Sequence, residues 1–205
     1  MKGIQSTPLT PEKSINIMIR VFHWMVVALF VVLFVTGDQG DGSDNVHIIF
    51  GYLLISVIFA RILWGYIGDK NAIWKNYLHH PKLIFIYLSK LLSPSKAKFQ
   101  IHNPAGSSMI LVMMTLLLII TLSGLLLESV FEFSGALLFL SSFVSDNQSF
   151  LIKDLHDSTA HLMLFAIVLH LLGVLYSSYK YRVNMPLMMI TGKINFIEKK
   201  EKKCE

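Results

Sequence analysis

The chain has 205 residues, of which 54% are hydrophobic and 15% are charged. Soluble domains carry roughly 25% charged residues, so this composition excludes an ordinary soluble domain and predicts a membrane protein. The formal net charge is +5, and the single cysteine, Cys204, excludes a disulfide framework.

Four long apolar runs predict four membrane-spanning helices, because each exceeds the roughly 18 residues needed to cross a hydrocarbon core of about 30 Å. The runs cover about 15–36, 46–67, 107–127 and 155–178. The first follows a polar leader and lacks a small-residue cleavage site, so we expect it to be retained as a span. We therefore predict an all-α integral membrane four-helix bundle at 15–180, with a leader at 1–14 and a basic tail at 181–205.

The distribution of positive charge predicts the topology. All 18 lysines and arginines except Lys153 fall in the leader through Arg20, in the segment 61–104, or in the tail from Lys180. The positive-inside rule places these regions, and therefore both termini, in the cytoplasm. The two loops on the other side are acidic, with Asp38, Asp41, Asp44, Glu128, Glu132, Asp146 and Asp154. The net charge thus reflects membrane topology and not nucleic-acid binding.

Two shorter apolar stretches are expected to lie along the membrane surface instead of crossing it. Pro81–Leu92 is basic and amphipathic, and Gly135–Val144 is a similar segment on the opposite side. Asn103 and Pro104 predict where the third helix opens, with Asn103 as N-cap and Pro104 at the first helical position.

Five histidines lie within the spans: His23, His47, His156, His161 and His170. Ionisable residues in a membrane span are costly, so each is by default a functional candidate. The alternative is a polar side chain that hydrogen-bonds between helices. His156 and His170 are 14 residues apart, which places them within about 40° of one helix face and about 21 Å apart along the axis.

The direction of each span pairs four of these histidines by depth. The first span enters from the inside, so His23 is level with His170, and the second enters from the outside, so His47 is level with His156. Each pair can supply two imidazole nitrogens to opposite faces of one iron porphyrin. Because the chain has no C-x-x-C-H motif, the pairs predict two non-covalent b-type haems.

Three further residues are predicted to contact these cofactors. Arg61 is 14 residues after His47, so it points the same way at the depth of the inner haem, where an arginine fork suits a propionate carboxylate. Arg20, one turn before His23, is a second propionate candidate. Both arginines could instead snorkel to the headgroups. Gly51, one turn beyond His47, would let a flat macrocycle approach the backbone, although close helix packing also explains a membrane glycine.

The remaining histidines are not predicted to bind haem. His161 is rotated about 140° from His156 and faces away from the proposed seam, which favours an interhelical hydrogen bond or a subunit contact. His79 and His80 precede the surface segment and are expected to be solvated. His102 stands just before the third span.

At the level of motifs the sequence resembles the bacterial cytochrome b561 family, which includes the cytochrome b subunits of nickel–iron hydrogenases. The resemblance runs from Arg20 to about Lys193. It rests on Arg20-x-x-His23-Trp24, on His47-x3-Gly51 with Arg61-x-x-Trp64-Gly65, on His102-Asn103-Pro104-x-Gly106, on His156 with His170, and on Met189-x-x-Gly192-Lys193.

The resemblance implies two bis-histidyl b haems in four helices of the bacterial inner membrane. It also implies single-electron exchange between a quinone pool and a redox partner, as an electron-transfer protein or a subunit of a quinone-linked oxidoreductase. The acidic outer loops would suit a periplasmic cytochrome c or a dehydrogenase or hydrogenase subunit.

Three alternatives stay open from the sequence. One is a standalone oxidoreductase in which the outer haem reacts with a small molecule such as superoxide and passes the electron to quinone. The second is a metal-ion transporter that uses the same histidines as ligands, and the third is a structural membrane anchor without a cofactor.

Overall fold

The computed structural model describes residues 15–37, 44–68, 73–78 and 104–194, together with positions 80, 82–84, 86 and 89. Within these ranges the chain forms four long helices, α1 (Ile17–Thr36), α2 (Asp44–Ile67), α3 (Pro104–Phe131) and α4 (Asp146–Tyr181), and a short helix α5 (Met185–Thr191). Two short 3₁₀ helices, Trp74–Asn76 and Leu138–Phe143, follow α2 and α3.

The four long helices pack as one bundle whose core draws on each of them. Its buried residues are Phe30 and Leu33 of α1, Leu54 and Ile58 of α2, Leu116, Leu117 and Ile120 of α3, and Met163 and Ala166 of α4. Helix α1 packs on α2, α2 on α3, and α3 on α4. Ring contacts between α1 and α4 close the bundle.

The surface of the bundle is apolar, which identifies an integral membrane protein. All four long helices have the length and composition to cross a membrane. In the most apolar stretch of each helix, only 11–28% of the residues are buried inside the bundle. Large side chains such as Val31, Phe165 and Leu172 are more than half exposed. A soluble protein rarely exposes so much contiguous apolar surface, so the predicted all-α membrane bundle is confirmed.

Local signals set the ends of the helices. The Asn16 side chain accepts a hydrogen bond from Met18 N at 2.7 Å and caps α1. Helix α3 begins at Pro104 as predicted, while Asn103 lies outside the described residues. Helix α4 begins nine residues before the predicted span, because Ser145 and Gln148 form a capping box there. Its 36 residues extend about 54 Å, well beyond a hydrocarbon core.

The two predicted surface segments are described to different extents. The segment Gly135–Val144 contains the 3₁₀ helix Leu138–Phe143, and its Phe139 and Phe143 side chains are 68% and 78% exposed. Of Pro81–Leu92, positions 82–84, 86 and 89 are helical, and the other positions lie outside the described residues.

Candidate functional site

The structure brings His47 of α2 opposite His156 of α4. Their ring centroids are 6.2 Å apart and the ring planes are 69° to each other. The His156 ring is fixed by the Ile120 carbonyl oxygen at 3.0 Å and the Ser123 hydroxyl at 3.1 Å from its Nδ1. The Thr36 hydroxyl lies 3.3 Å from the Nδ1 of His47.

A cavity of about 90 Å³ opens beside this pair. Its wall is apolar apart from the two imidazoles, Thr121, Tyr52 and Glu128. Gly51 lines it, and a side chain added there would enter open space, with nothing within 4 Å. Gly124 lies against His156, where a Cβ would come 3.2 Å from the ring. Two glycines therefore keep room for a broad ligand beside the imidazoles.

The second predicted pair also faces across the bundle, between α1 and α4. The ring centroids of His23 and His170 are 6.5 Å apart, with 48° between the planes. Trp24 meets the His23 ring edge-on at 5.2 Å. The Nδ1 of His23 is buried and has no hydrogen-bond partner among the described residues.

Both pairs fit an iron porphyrin held between two imidazoles. Two imidazoles that bind one metal ion through nitrogens at about 2 Å place their ring centroids about 6 Å apart. The observed 6.2 and 6.5 Å match that spacing. The hydrogen bonds from the Nδ1 side of His156 leave its other nitrogen for a ligand bond, which is the usual arrangement for a metal-binding histidine.

Arg61 is buried at 8% exposure near the end of α2, where the sequence predicted a propionate partner. Its guanidinium carbon lies 4.6 Å from the Trp74 ring centroid and 5.8 Å from that of Tyr77. The Trp74 indole donates to the Ile62 carbonyl oxygen at 3.1 Å. Burial raises the pKa of the Tyr77 hydroxyl, and the neighbouring Arg61 opposes that rise. The arginine is therefore held in an aromatic clamp.

No sequence pattern marks Trp74 and Tyr77 as neighbours of Arg61. They belong to a short segment between two spans, with no apolar periodicity to mark them. The available signal was Gly65, since a side chain there would overlap the Trp74 indole. A glycine so close to the end of a membrane helix indicated close packing by another group.

Arg20 lies at the junction of α1 and α5. One guanidinium nitrogen donates to the Ile190 carbonyl oxygen at 2.5 Å, and the Trp24 indole donates to the Met189 carbonyl oxygen at 3.3 Å. Gly192, with φ of 79°, ends α5 beneath the guanidinium, where a Cβ would come 3.0 Å from it. The Arg20-x-x-His23-Trp24 and Met189-x-x-Gly192 motifs thus contact each other, and Arg20 and Trp24 each satisfy one carbonyl oxygen at the end of α5.

Of the other histidines, the two that the structure describes join neither pair. His161 is exposed, its Nδ1 is 2.8 Å from the Asp157 carbonyl oxygen, and its ring meets Phe34 edge-on at 6.1 Å. His80 is exposed and accepts from Lys82 N at 3.3 Å. His79 and His102 lie outside the described residues.

Comparison with known proteins decides the family. The sequence profile described as "Prokaryotic cytochrome b561" matches residues 14–192, which is most of the chain. The chain belongs to the prokaryotic cytochrome b561 family. It is therefore a multi-pass, b-type membrane cytochrome that uses haem b in electron transfer. Membership of this family does not support the hypotheses of a metal-ion transporter or of an anchor without a cofactor.

Two curated relatives of this cytochrome are each described as a probable Ni/Fe-hydrogenase B-type cytochrome subunit, from Azotobacter vinelandii and from Azotobacter chroococcum mcd 1. Each is 26% identical over 116 residues, which cover 43% of this chain and 47% of the relative. The cytochrome thus aligns with about half the length of these relatives. No solved structure matches it.

Proposed function

We propose that this cytochrome holds two b haems, one between His47 and His156 and one between His23 and His170, and moves single electrons across the bacterial inner membrane between a quinone pool and a redox partner. The observation that carries the proposal is the pair of facing imidazole couples, at 6.2 and 6.5 Å, in one bundle. His156 and His170 are 14 residues apart on α4, which separates the two sites by about 21 Å along the membrane normal.

The chain's own residues hold and tune each site. Each haem would supply a one-electron iron centre. Ile120 and Ser123 fix the orientation of the His156 ring, and Thr36 does the same for His47. The surrounding apolar side chains keep water from the irons and lower the local dielectric, which sets the reduction potential together with these hydrogen bonds.

The proposed orientation places both termini in the cytoplasm. It follows from the lysines and arginines, all of which except Lys153 fall on the side of the termini. The His47–His156 site then faces the periplasm and the His23–His170 site faces the cytoplasm. Lys153 is matched within α4 by Asp157, 2.7 Å away.

The relatives' names suggest the class of partner. Because they are described as hydrogenase cytochrome subunits, we infer a periplasmic dehydrogenase or hydrogenase subunit, or a cytochrome c, that exchanges electrons with the His47–His156 site. The acidic loops on that side, including Asp38 and Asp41, favour a basic docking surface. Charge reversal at these aspartates should slow electron exchange and weaken its salt dependence. Unchanged rates would exclude this surface.

We propose that the quinone binds in the apolar groove between α1 and α5, beside Trp24 and the His23–His170 site. The groove has Arg20 at its polar end and Ala28 in its wall. Ala28→Phe should fill the groove and slow quinone reduction several-fold with an unchanged haem spectrum. Val31→Phe, on an exposed position of the same helix outside the groove, is the matched control. Equal rates in both variants would place the quinone elsewhere.

The first experiment is an oxidised-minus-reduced absorption spectrum of the detergent-purified protein with a pyridine haemochrome count. Two b haems per chain are expected. His47→Ala or His156→Ala should remove or alter one haem, and His23→Ala or His170→Ala the other. Correctly folded protein that stays colourless with haem supplied, or a haem spectrum insensitive to these four changes, would refute the ligand assignment.

A second candidate is direct reaction of the His47–His156 site with a small molecule such as superoxide, with the electron passed on to quinone. The cavity beside that pair gives a small molecule room next to the imidazoles and is the observation that favours it. Stopped-flow reduction of the purified cytochrome by superoxide, with no partner protein, tests this. A rate no faster than that of the His47→Ala variant would dismiss this candidate.

A further inference from the structure

A built polar cluster lies at one end of the cavity between His47 and His156. The Tyr52 hydroxyl of α2 donates to Glu128 Oε2 of α3 at 2.7 Å. The backbone N–H of Ala136 donates to the same hydroxyl oxygen at 3.0 Å. Gly135, with φ of 91°, lies so close to the carboxylate that any side chain there would overlap it. Three segments of the chain therefore converge to hold one carboxyl group.

This carboxyl group belongs to the wall of the proposed haem pocket. Tyr52 and Glu128 line the cavity together with His47 and His156. Glu128 is one turn beyond Gly124, the glycine that lies against the His156 ring. A macrocycle held between the two imidazoles would occupy this cavity, and the carboxylate that lines it would then act electrostatically on the bound group.

Glu128 lies near the C-terminal end of α3. It is three residues from the end of α3 at Phe131, where the helix dipole already presents negative potential. It also lies close to the outer end of the long apolar helix α3, where an ionisable side chain is a candidate functional group. The haem ligand set does not use this carboxylate, so its presence calls for a separate role.

We propose that Glu128 is a proton-binding site coupled to the redox state of the His47–His156 pocket. When one electron enters this pocket, the Glu128 carboxylate takes up one proton from the water at that end of the bundle, so the charge of the pocket is unchanged. When the electron leaves this pocket for the next carrier, the proton returns to water. The inference rests on the proposed function, because it requires a haem between His47 and His156.

The direction of the coupling follows from charge. A ferric porphyrin core carries one positive charge and a ferrous core none, so a nearby carboxylate is stabilised in the oxidised state and less so in the reduced state. The anionic carboxylate at high pH therefore favours the oxidised haem, and its protonation at lower pH favours the reduced haem. The midpoint potential of this haem should fall as the pH rises.

Other titratable groups near the cluster define the controls. Tyr52 of α2 contacts the carboxyl group directly, and His47 and His156 line the same cavity. Glu132 is one turn further along the chain and is exposed. On α4, Lys153 and Asp157 pair with each other at 2.7 Å.

The test is a spectroelectrochemical titration of the purified two-haem cytochrome between acidic and alkaline pH. In the unchanged protein the midpoint potential of one haem should fall as the pH rises. For one proton taken up per electron, the fall is about 59 mV for each tenfold change in proton concentration. Glu128→Gln should abolish most of that dependence, and Glu132→Gln should retain it. Tyr52→Phe removes a donor to the anion, so the pH-dependent range should move to higher pH. Infrared difference spectra should show a carboxyl band on reduction that Glu128→Gln removes.

Each outcome decides the proposal. Two haems with pH-independent potentials in the unchanged protein would overturn the proton site and leave the proposed function standing. A pH dependence that survives Glu128→Gln would assign the proton to a haem propionate and overturn it as well. If Glu128→Gln fails to fold, Tyr52→Phe decides the question. A potential that depends on pH over the same range as in the unchanged protein would then overturn the proton site. Protein without a haem at His47 and His156 would reject the proposed function and this inference together.

Discussion

Substitution of Gly65 by alanine tests the aromatic clamp on Arg61, because Gly65 lies one turn beyond the arginine on α2 and contacts the same indole. A Cβ at position 65 would overlap the Trp74 indole at Nε1, Cδ1 and Cε2. The indole must then move away, which breaks its hydrogen bond to the Ile62 carbonyl oxygen and its stacking on the guanidinium. These losses amount to about 1 kcal/mol for the hydrogen bond and about 1–2 kcal/mol for a desolvated cation–π contact.

The net effect is smaller than the sum of these losses, because alanine is favoured over glycine in a helix by about 1 kcal/mol. We therefore expect Gly65→Ala to destabilise the folded chain by about 1–2 kcal/mol. For a chain of this size each kcal/mol lowers the melting temperature by about 2–4 °C. Thermal unfolding in detergent, followed by circular dichroism, measures the change.

A double-mutant cycle with Trp74→Phe tests whether the contact between Gly65 and Trp74 causes this loss of stability. Trp74→Phe removes the indole nitrogen that donates to Ile62 and shortens the ring that Gly65 contacts. In that background Gly65→Ala has no hydrogen bond to break, so its cost should disappear or turn into a small gain. The expected coupling is about 1–3 kcal/mol, typical of directly contacting residues. Additive effects within about 0.5 kcal/mol would show that the Gly65–Trp74 contact does not hold the clamp.

Three further predictions concern the haem sites. Ser123→Ala should raise the midpoint potential of one haem, because it removes a hydrogen bond that makes the His156 imidazole a stronger donor to ferric iron. Redox titration measures the potential, and an unchanged value would contradict the prediction. Gly51→Leu should lose one haem by haemochrome count while Gly51→Ala keeps both, since the space beside this glycine is open but limited; two haems in both variants would exclude this wall. His161→Ala should retain both haems with unchanged spectra, because His161 is exposed and bonds to its own helix; loss of a haem would reopen the assignment.

Most of the fold was predictable because the membrane imposes a simple pattern. Apolar runs of sufficient length marked all four long helices, and Pro104 marked the start of α3. The paired histidines were also predictable, because alternating span directions fix depth and the helical repeat fixes the face. That reasoning required no side-chain contact, and the observed ring pairs agree with it.

The features that the sequence did not predict depend on chain segments that have no periodicity. The contact of Trp74 with Arg61 depends on how the chain turns after α2. The hydrogen bond from Arg20 to Ile190 joins residues 170 positions apart, and the contact of Tyr52 with Glu128 joins residues 76 positions apart. Neither depth nor helical phase alone predicts such pairs, because each contact also involves a segment outside the four long helices: the turn after α2, α5 or the backbone at Ala136.

The two proposed haem sites differ in their hydrogen bonding, and this difference has a functional consequence. At one site the Nδ1 atoms of His47 and His156 lie within hydrogen-bond distance of Thr36, Ser123 and Ile120. At the other, the Nδ1 of His23 is buried without a partner among the described residues. A hydrogen bond from the far nitrogen strengthens an imidazole as a ligand and stabilises ferric iron. The His47–His156 site should therefore have the lower potential, which favours electron movement from that site towards His23 and His170.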